Sequence, residues 1–298
     1  MKYTLSKQVK DAINNDKPVL ALESTIIASG MPYPENINFY NKAVQICVEN
    51  RVVPATTAII KGEIHVGLNT DQLHHIATNK SVHKISKREI GICLHKKLSG
   101  ATTVSSTSHI ANSVGIRVFS TGGIGGVHRG YKDTLDMSQD ILCLQNTPII
   151  VVSSGVKSFL DVDKTVEALE TVGVTQLGYK TDKFPLFYSR SSNIELPYSI
   201  NNTNDIISVY KKNINCNIMS SILILNPVPK NQEIPQETIN KIISKAIVKM
   251  KKNNIVGKNT TPFLLSEISR KTNNKSLKTN IALALNNIKL GAKIASSF

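Results

Sequence analysis

The chain has 298 residues, 41% of them hydrophobic, and a formal net charge of +15. That length supports one large core or two modest ones, and a mean hydropathy of -0.09 is that of an ordinary globular protein. Aromatic residues make up 5% and Trp is absent, so stacking platforms for single-stranded nucleic acid are scarce, and the lysines are scattered rather than gathered into a stripe.

In chain order, Leu5, Val9, Ala12 and Ile13 recur with the spacing of a short amphipathic helix. Pro18-Val19-Leu20-Ala21-Leu22 reads as a strand ending at Glu23, which puts a carboxylate at a strand end. Ser29 to Pro34 read as a loop, and Ile37, Tyr40, Val44, Cys47 and Val48 repeat at helical spacing behind it. Segments 55–60 and 64–68 flank Lys61-Gly62-Glu63 as a hairpin. A helix is expected over 107–114 and a strand over 116–120, followed by the glycine-rich turn Thr121-Gly122-Gly123-Ile124-Gly125-Gly126-Val127-His128-Arg129-Gly130. The apolar run Thr147-Pro148-Ile149-Ile150-Val151-Val152 and the small turn Ser153-Ser154-Gly155-Val156 deliver Lys157, after which Ser158-Phe159-Leu160-Asp161 opens a helical stretch. Residues 189–217 are polar and read as an irregular surface excursion with a little strand, and 221–225 return as a core strand ending in Asn226-Pro227-Val228-Pro229. The remainder is helical, with one stripe of Ile239, Ile242, Ile243, Ala246, Ile247 and Met250 and another of Leu277, Ile281, Ala284, Leu285, Ile288 and Ala292. These elements predict a single α/β domain over 1–298. Its expected form is a three-layer α/β/α arrangement with a mixed sheet and a carboxyl-terminal helical layer, its pocket beyond the carboxyl ends of the strands.

Lys157 carries the first chemical signal. An amine brought by a buried strand to a pocket rim loses hydration when charged, which lowers its pKa and makes it a usable nucleophile toward a sugar or carbonyl carbon. Within 121–157 it shares the chain with a glycine-rich turn, the basic pair His128 and Arg129, and the carboxylates Asp133, Asp136 and Asp140, a combination suited to a phosphosugar. Taken alone, Lys157 is as well explained as a helix-opening residue, and the three Asp as an acidic helix start beside a positive dipole end. Other chemistries fit poorly. Gly123 to His128 miss the dinucleotide fingerprint at its last position, Gly257-Lys258 lacks the rest of a nucleotide-phosphate loop, and His74, His75 and His83 lack zinc-protease spacing. The four cysteines, Cys47, Cys93, Cys143 and Cys216, are far apart, which fits a reducing compartment. No apolar segment follows the charged start Met1 to Lys7, and no run approaches the ~20 residues of a membrane span. A soluble, cytoplasmic protein is expected.

Several motifs together carry a family resemblance. Ala21-Leu22-Glu23-Ser24-Thr25-Ile26-Ile27, Gly30-Met31-Pro32-Tyr33-Pro34-Glu35-Asn36 and Val53-Pro54-Ala55-Thr56-Thr57-Ala58-Ile59-Ile60 form the first group. Lys84-Ile85-Ser86-Lys87-Arg88, Gly100-Ala101-Thr102-Thr103-Val104, Thr121 to Gly130, Ser154-Gly155-Val156-Lys157-Ser158 and Gly178-Tyr179-Lys180-Thr181-Asp182 form the second. Asn226 to Pro229, Thr261-Pro262-Phe263-Leu264-Leu265 and Asn280-Ile281-Ala282-Leu283 with Asn286-Asn287 complete it. Collinear over nearly the whole chain, this set resembles the pseudouridine-5'-phosphate glycosidase family. Ser29 stands where a family histidine is expected, Asn273-Asn274 replaces a glycine pair, and 191–217 departs from the pattern.

The resemblance implies reversible cleavage of pseudouridine 5'-phosphate to uracil and ribose 5-phosphate, with opened ribose held covalently on Lys157 and Glu23 transferring the proton. It also implies a divalent ion, commonly manganese (Mn2+), on Asp136, and substrate contacts from Lys84, the Val104 backbone, Ser138, Gln139 and Asp140. His128 and Asn280 are further candidates, although a buried helix asparagine often only satisfies backbone groups. Lys84, Arg129 and the amides of the glycine-rich turn are expected to receive the phosphate. The implied partner is a small phosphorylated nucleoside rather than nucleic acid or membrane, and the implied assembly is a homotrimer. Two other classes stay open from the residues alone. One is a Schiff-base aldolase or lyase acting on another sugar phosphate; the other is a basic RNA-associated protein with salt-sensitive binding.

Overall fold

Short apolar runs become strands buried on both faces, and the amphipathic stretches between them become the helices that bury them. The structure, a computed structural model, describes residues 3–255 and 257–298; Met1 and Lys2, part of the amino-terminal stretch considered above, and Val256 lie outside the described residues. The strands are β1 (Tyr3–Leu5), β2 (Val19–Leu22), β3 (Val53–Ile60), β4 (Glu63–Val66), β5 (His83–Ile85), β6 (Gly100–Thr102), β7 (Val118–Ser120), β8 (Ile150–Ser153), β9 (Thr175–Tyr179), β10 (Ser199–Ile200) and β11 (Ile222–Leu225). The helices are α1 (Lys7–Asn14), α2 (Glu35–Glu49), α3 (Thr70–Thr78), α4 (Ile90–His95), α5 (Val104–Ser113), α6 (Tyr131–Thr134), α7 (Gln139–Gln145), α8 (Val162–Thr171), α9 (Thr203–Asn215), α10 (Gln236–Lys252), α11 (Thr260–Lys271) and α12 (Lys275–Ser296).

Among the described residues the strands form one 11-stranded sheet in the order β1-β4-β3-β2-β7-β8-β11-β9-β10, with β6 on β3 and β5 on β6. From β3 through β2, β7, β8, β11 and β9 to β10 every pairing is parallel. The sheet is mixed because β3 runs on past β2: its second half pairs antiparallel with β4 in the expected hairpin and with β6. β2, β8 and β11 are buried at every residue, as central parallel strands must be when helices cover both faces. α12 packs on β2, β7, β8 and α2, and α5 packs on β2, β3, β7 and α7. This is a single α/β domain with a mixed sheet, as expected.

Local signals set the boundaries. The Ser6 hydroxyl accepts from Val9 N–H at 3.3 Å and starts α1, so Leu5 belongs to β1 and not to the helix its spacing implied. The expected loop at Ser29 begins inside a wide helical turn, Ile26–Gly30. Asp161 caps α8 by accepting from Lys164 N–H at 3.2 Å, which moves the helix start past Ser158. The largest correction is α9 within 189–217. The Asn202 side chain accepts from Asp205 N–H at 2.9 Å, and Ile206 and Ile207 are buried with Val209 and Tyr210 packed beside them. A helical stripe was present there, diluted by Lys and Asn. α12 also buries more than its apolar stripe, since Asn280 and Asn287 lie on the face it turns inward.

Candidate active site

Residues at or just beyond the carboxyl ends of β2, β5, β6, β7 and β8 line one cleft of about 380 Å3. Parallel strands end here, and the side chains that follow them turn from core to solvent. Glu23, Lys84, Val104, His128, Asp136, Ser138, Gln139, Asp140, Lys157 and Asn280 all line it, so the structure brings together the residues singled out as catalytic, substrate-binding or metal-binding, Arg129 excepted.

Lys157 is delivered by β8 through Gly155, whose φ of 87° and close approach to the Pro185 carbonyl admit no side chain. Its backbone N–H donates to Ile124 O at 3.1 Å, and its half-buried side chain donates from Nζ to Gly123 O at 2.5 Å. Glu23 follows β2, is 8% exposed, and accepts a short hydrogen bond from the Thr121 hydroxyl. Burial raises its carboxyl pKa; the Lys157 charge and the Thr121 hydrogen bond act against that rise. The protonated form is therefore favoured beyond that of an ordinary glutamate, the state a proton donor needs.

The opposite wall is anchored by Asp140. One of its oxygens accepts from Ser105 N–H at 2.9 Å and the other from Gly125 N–H at 2.8 Å, tying the start of α5 to the glycine-rich turn. A side chain at Gly125 would run into the Ser138 hydroxyl and this carboxylate. Ser138 caps α7 by accepting from Asp140 N–H at 3.2 Å, and Gln139 Oε1 accepts from Arg88 N–H at 2.9 Å. Val104 opens α5 behind the cap Thr103, which sets the first amides of that helix at the cleft wall, where an anion is favoured. Lys84, on β5, acts electrostatically on both Glu23 and His128. Burial lowers the His128 pKa, and the Asp136 carboxylate, 3.6 Å from His128 Nδ1, opposes that.

Arg129 departs from expectation. The chain bridges from Val127 to Met137 and Asp161 and His128 enters the cleft, but a turn follows, closed by the Tyr131 N–H on His128 O at 3.1 Å, and it carries Arg129 away. Arg129 turns to a neighbouring cavity, where it donates to Ser158 O and Leu160 O, both at 3.3 Å. No residue of 191–217 lines the cleft, while Ser29 does, its hydroxyl donating to Thr25 O at 3.3 Å. Sequence reasoning missed Thr121 as the Glu23 partner, Arg88, and Phe187. Phe187 is 2% exposed, has a φ of 64°, and lays its ring on Gly123, where an added Cβ would lie 2.6 Å from the ring. The doublet Gly122-Gly123 was the one available signal of such a close approach.

Among the described residues no group of three or more His, Cys, Asp or Glu side chains converges as a cage. Asp136 lines the cleft with its side chain half exposed, a single oxygen donor that suits a hard cation keeping most of its water, and does not suit zinc.

Fold and site define an α/β enzyme whose cleft pairs a buried acid with a lysine. A family model described as "Indigoidine synthase A like protein" matches residues 8–297. The pseudouridine-5'-phosphate glycosidase of Caldanaerobacter subterraneus subsp. tengcongensis is 46% identical over 291 residues, covering 98% of this chain and 95% of that protein. Its namesake in Mycoplasmopsis agalactiae is 44% identical over 298 residues, covering 100% and 99%. Two solved structures share the fold with a TM-score of 0.91: the prealnumycin C-glycosynthase AlnA in complex with ribulose 5-phosphate (31% identity), and an indigoidine synthase A-like protein from Thermotoga maritima (34%). Each covers 99% of this chain and 96% of its own. The chain belongs to the pseudouridine-5'-phosphate glycosidase family.

Proposed function

We propose that the chain cleaves the C–C glycosidic bond of pseudouridine 5'-phosphate, giving uracil and ribose 5-phosphate with consumption of one water. The observation that carries this reading is the pairing of Glu23, a buried carboxyl with a raised pKa, and Lys157 in one cleft. The names of the relatives and the sugar-phosphate complex of a structural neighbour support it.

A C–C glycosidic bond has no lone pair on the departing atom, so the ring carbon C5 must itself receive a proton. The Lys157 amine bonds to C1' as the C1'–O4' bond breaks, and the ring oxygen takes a proton from that nitrogen to become the 4'-hydroxyl; the nitrogen lone pair then forms the C=N bond as the C1'–C5 bond breaks. The bonding pair stays on C5, where the Glu23 proton arrives. Water then hydrolyses the imine, freeing the aldehyde of ribose 5-phosphate and the amine. Asp136 would hold a hydrated divalent ion such as Mn2+, which when bound offsets anionic charge. Lys84, His128 and the Val104 N–H that opens α5 orient the phosphate, while Ser138, Gln139 and Asn280 position sugar and base.

The test is incubation with pseudouridine 5'-phosphate and Mn2+, followed by chromatography for uracil. Free uracil with equimolar ribose 5-phosphate is expected. An intact substrate, or a different product from another sugar phosphate, would overturn the reading. The homotrimer implied by the resemblance is part of the same reading, and light scattering checks it.

A further inference from the structure

Asn287 does not itself line the cleft, yet its side chain spends its hydrogen bonds on the strand ends that carry the reacting groups. It is completely buried on α12. Nδ2 donates to Thr121 O at 2.8 Å and Gly122 O at 3.3 Å, both just past β7, and to the Ser154 hydroxyl at 3.1 Å, just past β8. Oδ1 accepts from Asn226 Nδ2 at 2.9 Å, just past β11, and lies 3.3 Å from Ser154 Oγ. Ser154 Oγ in turn donates to Asn226 O at 2.9 Å. One amide thus joins three adjacent parallel strands at the point where they stop pairing with each other.

The segments it joins lead directly to the chemistry. Thr121 donates its hydroxyl to Glu23. Gly123, next after Gly122, supplies the carbonyl that holds Lys157 Nζ, and Ser154 opens the turn that delivers Lys157. We infer that Asn287 is a positioning residue that sets the separation and aim of Glu23 and Lys157 by clamping the ends of β7, β8 and β11. The inference rests on these two residues being the reacting pair. A leucine of similar size would fill the same volume but leave the Thr121 carbonyl and the Asn226 amide buried without this partner, while Gly122 O keeps the Ser154 N–H at 3.0 Å, so packing alone does not account for the amide.

Displacing a reacting group by an ångström from a distant site lowers turnover by about 100-fold, whereas groups that only bind substrate are left in place. Asn287→Asp keeps the shape and the acceptor but loses the donor toward Thr121 and Gly122. It is expected to lower kcat for pseudouridine 5'-phosphate about 100-fold near pH 8 with KM within about threefold. Its activity relative to the unaltered chain is expected to rise as pH falls, because a protonated aspartate regains one donor. Borohydride trapping of ribose 5-phosphate on Lys157 should slow in parallel. Should Asn287→Asp fail to fold, Ser154→Ala and Asn226→Ser remove partners from the other side and are expected to lower kcat about tenfold, again at constant KM. Folded variants that keep kcat within twofold, or that lose efficiency through KM alone, overturn the inference. An unaltered chain that releases no uracil overturns instead the reaction on which it rests, and the positioning role with it.

Discussion

Replacing Glu23 by Gln separates its catalytic role from its energetic one. Gln retains the shape and still accepts from the Thr121 hydroxyl, but does not titrate. Burial raises the folded-state pKa above the ordinary value of 4.5. Below the unfolded value both states hold the proton and Glu23 has no pH-linked effect. Between the two values the folded state holds more protons than the unfolded state, so stability falls as pH rises, and above the folded value the full loss persists. Each unit of upward shift is worth about 1.4 kcal/mol, or roughly 3 °C in Tm for a chain of this size. Glu23→Gln is therefore expected to be more stable than the unaltered chain by a margin that opens over the pH range above 4.5, while losing about 100-fold or more of kcat. Thermal melts of both proteins across that range at constant ionic strength provide the measurement. Melting curves that stay parallel at every pH would refute the burial argument, and a variant retaining more than a tenth of the activity would refute the proton-donor role.

Lys157→Ala is expected to abolish turnover and borohydride trapping while leaving the melting temperature within a few degrees, since the side chain is only half buried; an adduct found on Lys84 by peptide mass would sink the assignment. Chelation should stop the reaction and Mn2+ restore it, with Asp136→Ala raising the metal concentration needed; full activity of that variant after exhaustive chelation would remove the metal from the scheme. Omitting the 5'-phosphate should lower kcat/KM by at least ~100-fold through loss of Lys84, His128 and helix-amide contacts, and equal efficiencies for nucleoside and nucleotide would mean the phosphate site has been misplaced.

The strands that matter most were legible because their signals are local. β2 and β8 are apolar runs closed by a carboxylate and by a small-residue turn, and both put their reactive side chain where the pattern placed it. α9 was hidden because Lys and Asn surround its few buried isoleucines, so average polarity masked periodicity. Arg129 was misplaced for a different reason: it follows His128 directly in sequence, but a turn begins there and carries its side chain to the next cavity. Thr121, Phe187 and Asn287 act through partners at long sequence separation, such as the 98 positions between Glu23 and Thr121, and no spacing rule reports such meetings. The family resemblance, by contrast, marked most of the cleft because its motifs are segments that converge there.

Among the described residues the cleft is lined, besides His128, by three acidic side chains, Glu23, Asp136 and Asp140, and three basic ones, Lys84, Arg88 and Lys157, although the chain as a whole carries +15. Attraction and recognition are therefore assigned to different parts of the molecule. Among the described residues the surplus cations lie outside the cleft and build a long-range field that concentrates phosphate esters around the protein, an effect that salt screens away. Within the cleft, local pairing and directed amides decide what stays. Added salt should accordingly slow the encounter between protein and nucleotide far more than it alters turnover once the nucleotide is seated.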